Sequence, residues 1–373
     1  MKKLLIYWPM GVFEDIQIHK EIGAIAFSAT KLGVKTSIVS GKFNSSLKTV
    51  SSHETGFVKR NWITKLLDPF FALKFILVES PDYMLFYNIE NYGNVFLTLA
   101  LGFLRRIDKT TYYNPKVIIK ADTDGTFIET SNILQLNIYK LLLIAYSKLT
   151  SGIIIETTCG INKISNFVHE KCNLIHLPNG YSSDIFGRVS NVPRKQTITC
   201  VANIIPSKNI EAVLRIFHRL AERFKELHLK IVGEVQDNDY FEKIKGTILQ
   251  MNLSEQAEIL SLNGQQLAKL FSESLLTIST SLIESFGIAR MESLGSGTPV
   301  VTYDVGCGSD FRDFGAIVVP VGDEEKMYNE IIKLLTDQQY WNQKSMEARK
   351  SAVTWDSVVQ NLMSIFQKYE EGD

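Results

Sequence analysis

The stretch ESFGIARME, from Glu284 to Glu292, runs directly into SLGSGTPVV at Ser293–Val301. The apolar run Leu275–Thr280 before it predicts a short buried strand. A helix is expected from about Phe286 to Ser296, where Gly297 and Pro299 end it. The first glutamate therefore lies in the loop at the helix start. The second lies almost two turns into the helix, roughly 9 Å along its axis at 1.5 Å per residue.

The start of this helix is an expected anion site. The N–H groups of Phe286, Gly287 and Ile288 have no partner within the helix, and the helix dipole favours negative charge there. An anion site between two hydroxyl-binding carboxylates suits a sugar, a diphosphate and a ribose in a row, which together make a nucleotide-sugar. The alternative interpretation is electrostatic only, because glutamates near a helix start are favoured without any ligand.

The whole string resembles the Glu-x7-Glu motif of retaining GT-B glycosyltransferases, in particular glycosyltransferase family 4 (glycosyl transferases group 1). The resemblance implies that Glu284 contacts the donor sugar as a catalytic residue and that Glu292 binds the ribose hydroxyls. It also implies that the backbone of Ser285 through Phe286 and Gly287 to Ile288 holds the donor phosphates. The flanking residues agree with the same motif.

Apolar runs that alternate with helical stretches predict an α/β protein with parallel sheets and helices on both faces. Strands are expected at Lys3–Trp8, Lys35–Ser40, Tyr83–Asn88, Val117–Ala121, Gly152–Glu156 and Leu174–Leu177, and again at Thr197–Ala202, Leu229–Gly233, Ala257–Ser261, Leu275–Thr280, Pro299–Tyr303 and Ala316–Val319. Two such sets indicate two Rossmann-like domains. The resemblance implies that they form a GT-B fold with an inter-domain cleft.

Turn-forming residues from Pro178-Asn179-Gly180 to Arg194 indicate the joint between the domains. We predict that residues 1–185 form the acceptor-binding domain and residues 186–352 the nucleotide-sugar-binding domain. An amphipathic helix at Trp355–Tyr369 follows, and in GT-B enzymes such a helix crosses back to the first domain. Residues 353–373 are assigned to it.

The loop at Val201–Asn209 resembles the phosphate loop of the family. Its Lys208 can reach a diphosphate as a point charge. The family usually has Gly-Arg where this chain has Ala202-Asn203, so Asn203 supplies only neutral hydrogen bonds to the donor. One cation of the expected phosphate clamp is therefore missing.

In the first domain the candidate segment is KADTDG, at Lys120–Gly125, directly after the apolar run Val117–Ile119. Open α/β sheets bind ligands at the carboxyl ends of their strands. Asp122 is the first choice for a catalytic-face or acceptor-orienting carboxylate, and Asp124 is the second. A capping or turn role explains either residue equally well.

Gly11 lies in the loop Pro9–Asp15 that is expected after the first strand, where it could let the backbone approach the transferred sugar. A simple turn glycine is the alternative. A dinucleotide-binding oxidoreductase would need Gly-x-Gly-x-x-Gly at this place, and the loop does not supply it.

The composition excludes some classes of function. The 373 residues carry 40 basic and 40 acidic side chains, a formal net charge of zero that argues against a nucleic-acid partner. The balance is uneven, since residues 1–180 carry 20 Lys and Arg against 14 Asp and Glu, and the remainder carries 20 against 26. The four cysteines show no metal-ligand spacing, which fits a reducing cytoplasm.

No signal peptide or spanning helix is expected. Two segments could lie on a membrane surface: Lys59–Phe75, which begins with basic residues and Trp62, and Val95–Arg106, which ends in two arginines. Ordinary core helices of an α/β domain are the alternative. The expected localisation is cytoplasmic, with peripheral contact on the inner face of the membrane left open.

The predicted function is hexosyltransferase-like: retaining transfer of a sugar from a nucleoside-diphosphate-sugar to a hydroxyl of a glycan, lipid-linked or protein acceptor. Asp-x-Asp at Asp122–Asp124 resembles the metal motif of the other major glycosyltransferase fold, but GT-B members usually need no metal. No metal and no cofactor are therefore expected besides the donor. The alternatives are a catalytically weak sugar-nucleotide-binding protein and a GT-B sugar-nucleotide epimerase.

Overall fold

A computed structural model describes residues 1–58, 62–89, 91–107, 114–121, 123, 131–187, 192–306 and 308–371. The chain divides into two compact units. The first unit comprises Met1–Pro178 together with Trp355–Asp373, and the second comprises Asn179–Thr354. The domain boundaries expected from the sequence lay at residues 185 and 352, whereas the units divide after Pro178 and after Thr354.

The described part of the first unit contains a seven-stranded parallel sheet in the order β3-β2-β1-β4-β5-β6-β7. Its strands are β1 (Lys3–Glu14), β2 (Lys35–Asn44), β3 (Ser51–Glu54), β4 (Tyr83–Tyr87), β5 (Lys116–Lys120), β6 (Gly152–Ile155) and β7 (Leu174–His176). The helices that cover it include α1 (Glu21–Lys31), α2 (Trp62–Glu79), α3 (Tyr92–Ile107), α4 (Ile133–Leu149) and α5 (Thr158–Ser165). Every residue of β4 and β5 is buried, as expected for central strands covered on both faces.

The second unit repeats this plan with a six-stranded parallel sheet in the order β10-β9-β8-β11-β12-β13. Its strands are β8 (Thr197–Val201), β9 (His228–Val232), β10 (Ala257–Leu260), β11 (Leu276–Ser279), β12 (Val300–Tyr303) and β13 (Ile317–Val319). Its described helices are α6 (Ser183–Phe186), α7 (Ile210–Arg223), α8 (Asn238–Gln250), α9 (Gly264–Glu273), α10 (Ile288–Gly295), α11 (Asp310–Asp313), α12 (Glu324–Thr336) and α13 (Gln338–Ser351). The predicted α/β class with two parallel sheets is confirmed.

The last helix, α14 (Trp355–Glu371), belongs to the first unit although it follows the second unit in the chain. Its Asp356 accepts a hydrogen bond from the Ser28 hydroxyl on α1 over 2.6 Å. The ring of Phe366 stacks on Tyr83 of β4, with 4.6 Å between the centroids. The apolar side chains of α14 are therefore part of the core of the first unit.

The first strand is longer than predicted. The loop expected at Pro9–Asp15 is wrong, because β1 continues to Glu14 and its pairing with β2 shifts register between Trp8 and Val12. Such a shift marks a bulge, which lets a strand absorb a proline and a glycine. A Cβ on Gly11 would collide with the ring of Trp8, so packing within the bulge explains this glycine.

In both sheets the chain winds outward in two directions from a central pair of neighbouring strands. That pair is β1 and β4 in the first unit, and β8 and β11 in the second. Loops diverge at the carboxyl ends of such a pair and leave a crevice, where open α/β sheets bind their ligands. The motif-bearing loop of the second unit follows β11 directly.

Candidate active site

Two loops of the second unit meet at the carboxyl ends of β8 and β11. The N–H of Leu282 donates to the carbonyl of Ser207 over 2.8 Å. The hydroxyl of Thr280 donates to the carbonyl of Asn209 over 2.8 Å. Segments that are more than 70 residues apart in sequence are thereby joined into one surface beside the central strand pair.

Lys208 and Glu284 form an ion pair on this surface. The Nζ of Lys208 lies 2.8 Å from Oε2 of Glu284 and 3.3 Å from the carbonyl oxygen of Ile283. Both side chains are largely covered, with 16% and 18% of their surface exposed. Two residues that the sequence assigned separately, one to the phosphates and one to the sugar, thus share one site.

The helix that carries the motif begins later than predicted. Helix α10 starts at Ile288, because Gly287 precedes it with a φ of 83° in the left-handed region. The backbone N–H groups from Ser285 to Ala289 donate to no residue in the described part of the chain. The start of this helix therefore presents a run of open donors at Ser285–Ala289, which we call the cradle, and it extends one residue beyond the predicted anion site.

Arg290 lies directly behind this cradle, although its variable place in the motif gave it no predicted role. The residue is 97% covered, and its guanidinium donates to the carbonyl of Phe286 and, over 3.2 Å, to the hydroxyl of Thr302. It also lies 4.2 Å from the ring centroid of Phe311. Burial lowers the pKa of Arg290 to about 10, so the side chain is still a cation at neutral pH.

The guanidinium of Arg290 places a positive charge beside the cradle and also limits which residue can occupy position 287. A Cβ on Gly287 would collide with the Nε of Arg290, and that buried Nε has no hydrogen-bond partner among the described residues. Only a glycine satisfies both the left-handed φ and the close guanidinium. Arg290 could not be assigned from the motif, because spacing does not reveal that the side chain folds back against its own helix start.

A third loop, after β12, completes the surroundings of Glu284. Gly306 has a φ of 56°, and a Cβ there would collide with the carbonyl of Glu284. The backbone of this loop therefore packs directly on the backbone of Glu284.

The other predicted residues of the second unit lie nearby in the fold. Asn203 follows β8 and is half-buried, with the close-packed Gly233 beside its neighbour Ala202. Glu292 lies within α10 and is 94% covered. Glu284 instead lies in a loop, and 18% of its side chain is exposed.

The other three predicted residues, Gly11, Asp122 and Asp124, belong to the first unit. Gly11 belongs to the bulge of β1 in the first unit. Asp122 and Asp124 lie outside the described residues. Immediately before them, buried Lys120 at the end of β5 pairs with Glu21 and with Glu156, a buried ionic cluster that no motif in the sequence indicated.

No group of three His, Cys, Asp or Glu side chains suited to a metal ion occurs among the described residues. In the same part of the chain, no helix is both long and apolar enough to cross a bilayer.

Comparisons with known proteins agree with this geometry. Residues 183–352 match the family model for glycosyl transferases group 1. Poly(glycerol-phosphate) alpha-glucosyltransferase of Bacillus subtilis is 32% identical over 168 residues, which is 44% of this chain and 24% of that protein. Across the curated relatives, the matched regions span 24% to 50% of their own length.

Solved structures match over the whole chain. Sucrose-phosphate synthase from Thermosynechococcus elongatus superposes with a TM-score of 0.77 at 14% identity and covers 100% of both chains. Anabaena HepE in complex with UDP-glucose superposes with a TM-score of 0.72 at 13% identity and covers 99% of this chain and 100% of that one. Residues 183–352 of the second unit are thus similar to the glycosyl transferases group 1 family, and the chain has the GT-B fold.

Proposed function

We propose that this protein is a retaining glycosyltransferase that moves a sugar from a nucleoside-diphosphate-sugar to an acceptor hydroxyl. The observation that carries the proposal is the open run of N–H groups at Ser285–Ala289, with the Lys208–Glu284 pair at its edge. The family match of residues 183–352 supports the same activity. No metal is part of the proposal.

The cradle suits the charge that develops during transfer. As the glycosidic bond breaks, negative charge moves onto the leaving diphosphate. Open N–H groups, the start of α10 and the buried cation of Arg290 are already in place to stabilise that charge. Because they interact more strongly with the full charge than with the bound donor, they lower the barrier rather than only tightening binding.

The Lys208–Glu284 pair suits an exchange of partners on donor binding. A phosphate that approaches Lys208 competes for its ammonium, which frees the Glu284 carboxylate to accept hydrogen bonds from the sugar hydroxyls. Glu292 binds the ribose in this scheme. The described part of this site offers no evident nucleophile for a covalent intermediate, so we propose attack on the same face that the diphosphate leaves.

The similar proteins indicate which substrates to test first. One structural neighbour, Anabaena HepE, is known in complex with UDP-glucose, and the name of one relative describes glucosyl transfer to poly(glycerol-phosphate). We therefore propose a UDP-sugar donor and, as acceptor, a hydroxyl of a glycan, a polyol-phosphate chain, a lipid-linked glycan or a protein.

One observation favours a second candidate function. Asn203 stands where the family usually has an arginine, so the loop after β8 contributes one cation fewer than the family pattern. A protein that binds the sugar-nucleotide but transfers it weakly would fit this loss. The buried charge of Arg290 partly offsets it in our preferred interpretation.

Nucleotide binding is the first test. Thermal unfolding is measured with UDP, GDP and ADP in the presence of a chelator, since a ligand that binds only the folded state raises the midpoint by mass action. We expect one nucleotide to raise it clearly. Incubation of its glucose conjugate with candidate acceptors, followed by proton NMR of the anomeric signal, then separates the three outcomes.

Transfer with retained configuration supports the proposal. Binding without transfer or hydrolysis supports the second candidate, and an altered sugar on the unreacted nucleotide indicates an epimerase. A response that needs added manganese contradicts the metal-free mechanism.

A further inference from the structure

Exposed apolar side chains are concentrated on three neighbouring helices of the first unit. Helices α2, α3 and α4 pack side by side, and the rings of Phe70 on α2 and Phe96 on α3 lie 4.6 Å apart. The exposed large apolar residues on them are Ile63, Leu67, Phe70, Phe71, Leu77, Val78, Tyr92, Phe96, Leu99, Phe103, Ile133, Leu134, Ile138, Leu141 and Ile144. We call the outer sides of α2, α3 and α4 the apolar face.

The exposure on this face is large for side chains of this kind. Val78 is 72% exposed, Phe103 is 64% exposed and Leu141 is 68% exposed. Soluble proteins rarely leave a contiguous apolar area of this extent uncovered, because its burial elsewhere would be favourable. Packing in a protein core therefore explains the apolar residues on the inner sides of these helices but not those on the outer sides.

The helices that carry the apolar face have more basic than acidic residues. The sequences of the three helices contain six lysines and arginines against two acids, Asp68 and Glu79. Asp68 is buried and accepts hydrogen bonds from Tyr7 and Thr55. Glu79 is paired with His53 over 2.8 Å and with Lys35 over 3.5 Å. Both acids are therefore already paired within the first unit.

An open cavity of about 490 Å³ adjoins the apolar face at the end of α4. Its lining includes Lys140, Lys148, Asn166 and His169, together with the exposed Ile144. The lining contains no acid, and the Nζ of Lys140 lies 5.0 Å from the ring centroid of Phe167. Two ammonium groups, an amide and an imidazole around one opening suit a phosphate group.

We propose that the apolar face docks on an anionic lipid bilayer, with its apolar side chains in the interface and a headgroup phosphate in the Lys140–Lys148 cavity. Burial of apolar side chains and attraction to anionic lipid are the two contributions that hold a peripheral protein at a membrane. A second copy of the chain fits less well, because it would bring two positively charged faces together. The proposal goes beyond sugar transfer and does not depend on it.

Vesicle sedimentation of the full chain tests the proposal. Vesicles of phosphatidylcholine alone are compared with vesicles that contain about one third phosphatidylglycerol, at low and high salt. We expect at least about tenfold more bound protein on the anionic vesicles, and less at high salt because the attraction is screened. Binding is measured without donor or acceptor, so failure of the proposed enzyme activity does not affect the result.

Variants separate the two contributions. Phe103→Gln with Leu141→Gln should reduce binding to both kinds of vesicle at least about fivefold, since apolar area is lost from the interface. Lys140→Gln with Lys148→Gln should remove most of the preference for anionic lipid, at about fivefold per lysine. Leu249→Gln is the matched control, because Leu249 is 67% exposed on α8 of the second unit.

Three results would overturn the proposal. The first is sedimentation with neither kind of vesicle, and the second is an equal loss of binding in the Leu249→Gln control. The third is a stable dimer, found by light scattering, that the Phe103→Gln and Leu141→Gln pair dissociates, because the apolar face would then belong to a second copy.

Discussion

The two units share one plan and use it differently. Both wind a parallel sheet outward from a central strand pair, yet in the second unit hydrogen bonds and an ion pair join the loops beyond that pair. The first unit instead leaves the outer sides of α2, α3 and α4 apolar. One scaffold can therefore carry joined polar loops in one unit and exposed apolar helices in the other, and we propose a different partner for each.

The difference also explains where the family signal lies. The match to glycosyl transferases group 1 covers residues 183–352 and falls within the second unit. Binding of a phosphate by backbone N–H groups demands glycines at particular φ values and therefore a recognisable motif. A broad apolar face requires only a residue class and leaves no such motif.

The largest expected effect in the second unit is that of Glu284→Gln. The amide cannot accept hydrogen bonds from the donor sugar as the carboxylate does, and transfer should fall by about 100-fold or more. The unfolding midpoint should stay within a few degrees, because the side chain lies in a loop. Initial rates with saturating donor measure the loss, and exposed Glu255→Gln serves as control. Near-normal turnover would remove Glu284 from the site.

The next effect concerns the cradle itself. Gly287→Ala forces a side chain into the left-handed region and against the guanidinium of Arg290, so nucleotide affinity should fall by about 10- to 100-fold. Gly246→Ala on α8 is the control, because a Cβ there meets nothing within 4 Å and should be neutral or slightly stabilising. Titration calorimetry measures both. Unchanged affinity in Gly287→Ala would mean that the phosphates bind elsewhere.

A smaller effect is expected for Lys208→Met. A hydrogen bond to a charged group contributes about 1.5–3 kcal/mol, so affinity for the nucleoside diphosphate should fall by about tenfold or more. Affinity for the nucleoside without phosphates should not change. Exposed Lys245→Met is the control. Equal losses for nucleoside and diphosphate would show that Lys208 supports the fold of the loop and not the phosphates.

The smallest effect on nucleotide binding is expected in the first unit. In Gly11→Ala the new Cβ presses on the Trp8 ring, so the unfolding midpoint should fall by several degrees, as overpacking usually costs about 1–3 kcal/mol. Nucleotide affinity should stay within about twofold, since the second unit is untouched. A clear loss of affinity for the nucleotide-sugar would instead mean that Gly11 contributes to donor binding.

Sequence patterns predicted most of the strands but not their irregularities. All twelve expected strands occur, each with ends close to those expected except β1 and β2, which run on to Glu14 and Asn44. The edge strand β3 was missed because Ser51–Glu54 has no apolar alternation to reveal it. The extension of β1 was missed because Pro9 normally ends a strand, and only a bulge accommodates it here.

For the candidate site, the sequence predicted several of the residues but not the contacts between them. The motif indicated Glu284 and the open N–H groups because both depend on local spacing. The Lys208–Glu284 pair joins residues 76 apart, and Arg290 acts by folding back on Phe286. The first of these contacts depends on β8 and β11 being neighbours in the sheet, which no local sequence pattern specifies.

The return of α14 to the first unit has a consequence for biosynthesis. On the ribosome, the second unit is a continuous stretch that can fold once Thr354 has emerged. The first unit begins earlier but must wait for Trp355–Glu371, whose Phe366 covers the ring of Tyr83. The unit made first is thus completed last, and until then its nascent core is exposed to chaperones and to neighbouring chains.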